Sequence, residues 1–299
     1  MTATVRRVSP GAGTAADAFA TLAPRPPFGK LTLRNAGKIY DPDGAAVVAA
    51  SDCSIDIEAG DFVAIVGPSG CGKSTLMNII AGFDTITSGE ILLDDAPLAT
   101  TTRTPQPGSD RVVVFQNGAL FPWKSVLENV MYGPLVQGLL ERTEARNRAL
   151  DLLRRCGGLD RVADSYPAQL SSGMQRRVEI VRALMNDPKV LLLDEPFRAM
   201  DTVSKTTMHE HLLQMFHVCR KTIVFITHDL EEAIFLADRV VVMTSRPGTI
   251  KTTLDVTLPR PRTAPLLASE EFRSLKAQLS AAVHEEAKRA FERGEREQA

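Results

Sequence analysis

A glycine-rich segment has the composition of a phosphate-binding loop. Its residues are Gly67, Pro68, Ser69, Gly70, Cys71, Gly72, Lys73, Ser74 and Thr75. They fit the pattern G-x-x-x-x-G-K-[ST], in which glycines let successive backbone N–H groups face one anion. In such a loop Lys73 reaches the β- and γ-phosphates of a nucleotide, and the Ser74 hydroxyl ligates Mg²⁺. The alternative is a turn with a chance lysine, but an apolar run precedes the segment and a helical run follows it.

Two adjacent carboxylates end a second apolar run, Val190–Leu193. Asp194 at the tip of a strand can hold Mg²⁺ through water, and Glu195 can polarise the water that attacks a γ-phosphate. Taken alone, such a pair suits a solvated acidic turn equally well. A third apolar run, Thr222–Ile226, leads to His228. An imidazole there can hydrogen-bond a γ-phosphate, although a lone histidine is more often structural.

A turn of small residues opens a helical run at Leu170-Ser171-Ser172-Gly173-Met174-Gln175. The N-terminus of a helix with such a turn is an anion site. Because the chain's own phosphate loop already holds a nucleotide, this second site suits a nucleotide that another subunit holds. An ordinary serine-capped helix is the alternative.

The order of these segments resembles that of the ATP-binding subunits of ABC transporters, from about Leu31 to Gly248. The resemblance implies an α/β fold: a P-loop NTPase core with an antiparallel β subdomain and an inserted helical subdomain. It identifies the phosphate loop as Walker A, Leu170–Gln175 as the signature and Val190–Glu195 as Walker B. The remaining matches are the Q-loop Gln116, the D-loop Asp201, the switch His228 and Tyr40, which the family places against adenine.

The same resemblance implies an ATPase that uses ATP and Mg²⁺ and is coupled to transport across a membrane. Its catalytic residues are expected to be Glu195, His228 and Gln116, and its Mg²⁺ ligands Ser74, Gln116 and Asp194. The nucleotide is expected to contact Tyr40 and the phosphate loop in one copy. Ser171 and Gly173 of a second copy, closed head to tail on the first, are expected to complete the site, and Asp201 belongs to the nucleotide-binding set.

Further partners implied by the family are two transmembrane permease subunits and an extracytoplasmic substrate-binding protein. The subunit is then peripheral, on the cytoplasmic face of the plasma membrane. Phe121-Pro122-Trp123 follows Gln116 and is the expected contact with the permease, because aromatic side chains on a loop often meet a partner. The alternative is that Phe121 and Trp123 are core anchors.

Two stretches, Gly82–Asp84 and Phe115–Lys124, resemble more closely the importer group for nitrate, sulfonates and taurine. Two positions depart from the family pattern. Ser172 stands where the signature usually has glycine, and Arg198 stands in a loop that usually reads G-A-L-D. Neither change removes a charged catalytic group, so an active ATPase is still expected.

Composition changes along the chain predict its organisation. Residues 1–29 are rich in Ala, Pro and Gly and are predicted to be a disordered tail. The ATPase domain is predicted at 30–250, with its helical subdomain at about 121–186. Residues 251–268, rich in Thr, Pro and Arg, are predicted to be a linker. Residues 269–299 are predicted to form an amphipathic helix capped by Ser269, with apolar residues on one face (Phe272, Leu275, Leu279, Val283, Ala287 and Phe291).

Bulk composition excludes several classes of protein. The 299 residues are 44% hydrophobic and carry a formal net charge of −1, without a basic cluster, so nucleic acid is not an expected partner. No apolar run approaches the roughly 18 residues of a membrane span, so membrane contact is expected through another polypeptide. The four cysteines form no CxxC pair, which suits a reducing compartment. The Cys71 thiol, near backbone N–H groups and Lys73, is expected to have a lowered pKa.

The sequence also bears on other kinds of ABC ATPase. A DNA-repair ATPase would need a long coiled coil before the signature, where only residues 117–169 lie. A translation-factor type carries two cassettes in one chain, whereas this chain has one. A regulatory pseudo-ATPase would lack Lys73 or Glu195. An exporter subunit, or an importer subunit for an unrelated substrate, remains open because the permease decides between them.

Overall fold

A computed structural model describes residues 26–198 and 200–292 of the chain. Its strands are β1 (Leu31–Tyr40), β2 (Val47–Ile57), β3 (Phe62–Val66), β4 (Ser88–Leu93), β5 (Ala96–Thr100), β6 (Arg111–Val114), β7 (Val190–Asp194), β8 (Thr222–Ile226), β9 (Arg239–Met243) and β10 (Ile250–Asp255). Its helices are α1 (Lys73–Ala81), α2 (Val126–Val136), α3 (Arg142–Arg155), α4 (Ser172–Leu184), α5 (Thr202–Cys219), α6 (Leu230–Leu236) and α7 (Glu270–Glu292). Residues 1–25 of the predicted tail, and residues 293–299 of the predicted C-terminal helix, lie outside the described residues.

The larger sheet has six strands in the order β10-β9-β3-β8-β7-β6. Every neighbouring pair is parallel except β10 and β9. All five residues of β3 are buried, as expected for a central parallel strand covered on both faces. Because parallel strands end at one edge of a sheet, the loops after β3, β6, β7 and β8 meet there, and ligands of α/β proteins bind at that edge.

A smaller sheet has four antiparallel strands in the order β2-β1-β4-β5. Its inner face packs with α1 and part of the larger sheet in a second hydrophobic core that includes Leu31, Leu33 and Ile91. Between β6 and β7 the chain forms α2, α3 and α4, which occupy the stretch predicted to be a helical subdomain. The predicted P-loop fold with an antiparallel subdomain and inserted helices is confirmed.

The predicted linker at residues 251–268 is wrong in its first part, because residues 250–255 form strand β10 on the edge of the larger sheet. The Thr-rich stretch contains β-branched residues that suit an edge strand. Further on, Arg262 is only 4% exposed. Its guanidinium donates to the carbonyl oxygens of Ile234 at 3.0 Å and Ala237 at 2.6 Å, where α6 ends. Arg262 therefore serves packing rather than solvation.

Helix α7 begins after Ser269, whose hydroxyl accepts a hydrogen bond from the Phe272 N–H at 3.1 Å. The first half of its apolar face, Phe272, Leu275 and Leu279, is buried in the main core. The far end differs from the predicted stripe, since Phe291 is 83% exposed. The fully buried apolar residues of the helix therefore lie in its first three turns, and Ala282 and Val283 are partly buried beyond them.

Candidate functional site: a nucleotide cleft

The phosphate loop leaves β3 and enters α1 at Gly72, which has a left-handed backbone with φ of 92°. A Cβ there would lie 2.4 Å from the carbonyl oxygen of Ala49, so glycine is required on two grounds. The Lys73 ammonium donates to the carbonyl oxygens of Gly67 at 2.9 Å and Pro68 at 2.8 Å. The loop thus holds a cation beside the N-terminus of α1, where an anion is favoured.

The two predicted acids stand at the end of β7. Burial and the neighbouring charge of Glu195 raise the pKa of Asp194. A hydrogen bond from Ser74 and the charge of Lys73 act in the opposite direction, but the net pKa is above the ordinary value. Glu195 has a left-handed backbone, with φ of 40°, and its N–H donates to the Ile226 carbonyl at 3.0 Å. Non-glycine residues in this region are strained, and such strain clusters at functional sites.

His228 follows β8 and comes close to the second acid. Its Nδ1 lies 3.5 Å from Glu195 Oε2, and more than half of its side chain is exposed. The loops after β7 and β8 therefore bring together a candidate general base and an imidazole, as the sequence predicted.

These loops enclose a cleft of about 500 Å³. Its lining residues are Tyr40, Val47, Ala49, Gly67, Ser69, Gly70, Cys71, Gly72, Lys73, Ser74, Thr75, Gln116, Asp194, Glu195, Arg198, His228 and Arg246. Of the predicted site residues, Pro68, Ser171, Gly173 and Asp201 do not line it. Ser171 caps α4 by accepting from the Met174 N–H at 3.3 Å. Asp201 caps α5 through the Ser204 N–H at 3.0 Å.

The residues predicted to bind Mg²⁺ fit that ion. Ser74, Gln116 and Asp194 line one cleft, and the Ser74 side chain is hydrogen-bonded to Asp194. One carboxylate with neutral oxygen donors is typical of a magnesium ion that keeps phosphate oxygens and waters as its other ligands. Within residues 26–198 and 200–292, no group of three His, Cys, Asp or Glu side chains could bind a metal ion by itself.

Tyr40 lines the same cleft and is 39% exposed. Its hydroxyl donates to Asp84 at 2.8 Å, and the Lys38 ammonium lies 5.0 Å from its ring centroid. Burial raises the pKa of Tyr40, and the hydrogen bond to Asp84 and its charge raise it further. The Thr75 side chain acts in the opposite direction. The ring is thus fixed beside the phosphate loop, as a base-stacking role requires.

The predicted low pKa of the Cys71 thiol is wrong. Cys71 is 1% exposed, and burial raises its pKa even though the Lys73 ammonium lies 3.6 Å from the sulfur. Desolvation disfavours the thiolate more than the nearby cation favours it.

The sequence did not indicate how the Q-loop is held. Arg176 of α4 donates to the carbonyl oxygens of Phe115 at 2.7 Å and Gln116 at 2.5 Å. It also pairs with Glu179 at 2.6 Å, and Glu179 accepts from the Ala119 N–H at 2.7 Å. Both charged side chains are nearly buried. The charged pair at i, i+3 on α4 was the available signal, and the pair ties Gln116 to the helix that begins at the signature.

Two arginines of the cleft were also missed. Arg198 Nη1 lies 3.2 Å from Glu195 Oε2, so the residue that departs from the family pattern contacts the candidate base. Arg246 comes from the loop after β9, and its Nε donates to the Gly70 carbonyl at 3.3 Å. The Arg246 contact could not be read from sequence, because it depends on how loops from different strands meet, whereas Arg198 and Glu195 are three residues apart in the loop after β7.

A phosphate loop after β3, two acids after β7 and a histidine after β8, meeting in one cleft, define a P-loop ATPase. The family model for ABC transporters matches residues 50–198. The chain belongs to this family, as one of its ATP-binding subunits, and the predicted family and ATPase activity coupled to transport are confirmed.

Relatives of the chain are named for transport. It is 44% identical to the nitrate import ATP-binding protein of Synechocystis sp., over 77% of this chain and 83% of that protein. It is 43% identical to the taurine import ATP-binding protein of Rhizobium johnstonii, over 81% of this chain and 91% of that protein. An uncharacterized ABC transporter ATP-binding protein of Methanocaldococcus jannaschii is 41% identical, over 82% of this chain and 88% of that protein.

Solved structures agree on the fold. One is a dimeric post-hydrolysis state of the ATP-binding cassette MJ0796 bound to ADP and Pi, with a TM-score of 0.63 and 32% identity. It covers 77% of this chain and 100% of that chain. Another is cbiO1 from Clostridium perfringens, with a TM-score of 0.68 and 29% identity, over 85% of this chain and 97% of that chain. No helix in the part of this chain that the structure describes is long and apolar enough to cross a membrane.

Proposed function

We propose that this subunit energises an importer for a small anion of the nitrate, sulfonate or taurine type. The observation that carries the proposal is the cleft with Lys73, Asp194, Glu195 and His228 in place, in a chain whose relatives are named for nitrate and taurine import. The transported molecule would bind to other chains. An exporter, or an importer for an unrelated substrate, would need the same cleft, so the partners decide between them.

The proposed reaction is the hydrolysis of ATP to ADP and phosphate. The phosphate loop and Lys73 bind the phosphates. Ser74, Gln116 and Asp194 would hold Mg²⁺, which would neutralise negative charge on the phosphates. Glu195 orients the attacking water and accepts its proton as the bond to the γ-phosphorus forms and the bond to ADP breaks. His228, whose Nδ1 is 3.5 Å from Glu195 Oε2, would donate to the γ-phosphate.

We infer that two copies close head to tail around two ATP molecules. Ser171 and Gly173 support this arrangement because they are outside their own cleft, at the N-terminus of α4. A helix N-terminus favours an anion, and the γ-phosphate of the other copy is the anion available. A dimeric ADP-bound cassette of the same fold adds support.

The permease contact is proposed at the aromatic segment Phe121–Trp123. Trp123 is 70% exposed, with its ring centroid 5.7 Å from that of Phe121. The loop beneath is rigid, because the buried Asn129 accepts from the Phe121 N–H at 2.8 Å and donates to the Lys124 carbonyl at 3.0 Å. A rigid loop presenting an exposed tryptophan suits a docking surface, since Trp is enriched among binding hot spots.

The test is to purify the tagged subunit from membranes of its own organism and identify its partners. Co-purification of two permease chains and a binding protein is expected, placing the subunit at the cytoplasmic face of the membrane. The binding protein is then titrated with nitrate, taurine and alkanesulfonates. A complex with a permease but no binding protein, or a binding protein that ignores all three ligands, would contradict the import proposal.

A further inference from the structure

The loop between β9 and β10, Thr244–Thr249, is held more tightly than a hairpin turn requires. The Thr244 N–H donates to the Thr249 carbonyl at 2.9 Å, which closes the turn. The Gly248 N–H then donates to the Ala49 carbonyl at 3.3 Å, and the Gly248 carbonyl accepts from the Ser51 N–H at 2.9 Å. This loop is therefore fastened to strand β2 of the other sheet.

Helix α7 packs against the same loop. Ser245 is 3% exposed, and its N–H donates to Glu286 Oε2 at 3.3 Å. Glu286, 1% exposed, pairs with Lys251 at 2.8 Å and with Arg289 at 3.0 Å. A buried carboxylate between two cations has a fixed position, because separating it from either would leave charge uncompensated. Glu286 therefore acts as a rigid support for Ser245.

The Thr244–Thr249 loop also lies in close contact with the phosphate loop. A Cβ on Gly248 would lie 1.9 Å from the Cys71 carbonyl oxygen, so no side chain fits there. Two residues earlier, Arg246 donates to the Gly70 carbonyl at 3.3 Å and lines the cleft. The whole arrangement holds one guanidinium at the edge of the phosphate loop.

The strand order locates this guanidinium along the nucleotide. The catalytic acids and His228 follow β7 and β8, on one side of β3, whereas Arg246 follows β9, on the other side. Gly248 is bonded to Ala49 of β2, the strand whose Val47 pairs with Tyr40. Arg246 therefore lies away from the γ-phosphate end and toward the Tyr40 end of the cleft.

We propose that Arg246 is a nucleotide-binding residue that contacts the α- or β-phosphate, and that Glu286 is a positioning residue that acts through it. The inference rests on ATP occupying the cleft. Arginine carries five N–H donors in a planar fork, so a bond to Gly70 is compatible with a second bond to a phosphate oxygen. The C-terminal helix is thereby linked to nucleotide affinity through Glu286, Ser245 and Arg246.

The test measures ATP and ADP affinity by calorimetry in a Glu195→Gln background, where turnover is suppressed. Arg246→Gln keeps a donor for Gly70 but removes the charge, and should weaken both nucleotides by about tenfold, or about 1.4 kcal/mol. Arg246→Lys keeps the charge but loses the planar fork, so it should recover only part of the affinity that Arg246→Gln loses. Arg103→Ala, on an exposed loop outside the cleft, is the matched control and should bind like the parent.

Glu286→Gln tests the positioning role. It should weaken both nucleotides in the parent but have no further effect when combined with Arg246→Gln, because residues that act through one another are not additive. Additive losses would overturn the link through α7. Parental affinity in Arg246→Gln, or a loss for ATP alone, would overturn the assignment of Arg246. Lys73→Ala separates the two proposals, since undiminished binding in that variant would refute the nucleotide cleft itself.

Discussion

Replacing Trp123 by alanine should separate folding from assembly. Trp123 is 70% exposed, so only roughly a third of its side chain is hidden. For an aromatic residue this is about 75 Å² of surface, which at ~25 cal/mol per Å² gives an upper bound of about 2 kcal/mol and a realistic loss of about 1 kcal/mol. In a chain of this size, 1 kcal/mol lowers Tm by about 2–4 °C. A core tryptophan would cost about 3–5 kcal/mol and lower Tm by about 6–20 °C.

The binding cost is expected to be larger than the folding cost. A tryptophan hot spot contributes about 2 kcal/mol or more, which weakens assembly with the permease by about 30-fold. The assay compares Tm and ATPase rate of the free subunit with pull-down of the permease. Phe291→Ala is the control, because Phe291 is an aromatic residue on α7 that is even more exposed, at 83%. A Trp123→Ala variant that melts much earlier, or that assembles and transports normally, would refute the reasoning.

Three further changes have definite expected outcomes. Ser172→Gly removes one exposed hydroxymethyl group in the first turn of α4, so ATP turnover should be equal or higher; a large loss would make Ser172 a phosphate ligand. Maleimide should modify Cys71 more slowly than a free thiol, because burial raises its pKa, and fast modification that Cys71→Ala abolishes would contradict this. Glu232→Gln should lower the free energy of unfolding at pH 7 by about 2–3 kcal/mol, since the buried carboxylate lies 3.0 Å from the partly exposed Lys205 ammonium. Burial raises the pKa of Glu232, but the neighbouring His209, Thr227 and Lys205 side chains together outweigh it, so the net pKa lies below the ordinary 4.5. This stabilisation is then fully present above pH 4.5 and lost as pH falls through the lower folded value. The gap between parent and variant in urea unfolding should narrow below pH 4.5, and a gap that widens there would refute the assignment.

The parts of the site that sequence predicted best are those that local chemistry determines. The phosphate loop needs glycine at position 72, because its backbone is left-handed and a Cβ would clash with the Ala49 carbonyl oxygen. A requirement of this kind is visible in the sequence as a glycine at a fixed place in the motif. Asp194, Glu195 and His228 directly follow apolar strands, and parallel strands must end at one edge. The convergence of these residues follows from strand order alone.

The parts that sequence missed depend on contacts between distant segments. Glu286 reaches Ser245, the residue before Arg246, only because β10 returns the chain to the sheet and α7 then packs against the loop before β10. The Thr-, Pro- and Arg-rich composition of residues 251–268 is typical of a linker and therefore did not indicate that strand. Cys71 was misjudged for a related reason, since the nearby Lys73 is visible in the sequence whereas the degree of burial is not.

The central claim is that the cleft hydrolyses ATP between two copies, with Glu195 as the base. The most direct test is Glu195→Gln, examined by light scattering with and without ATP and by phosphate release. The variant is expected to bind ATP, to form a stable dimer only with ATP present, and to lose about 10²–10⁴-fold in turnover. Lys73→Ala is the companion control and should neither bind ATP tightly nor dimerise. Parental turnover by Glu195→Gln, or a Glu195→Gln protein that stays monomeric with saturating ATP, would contradict the account.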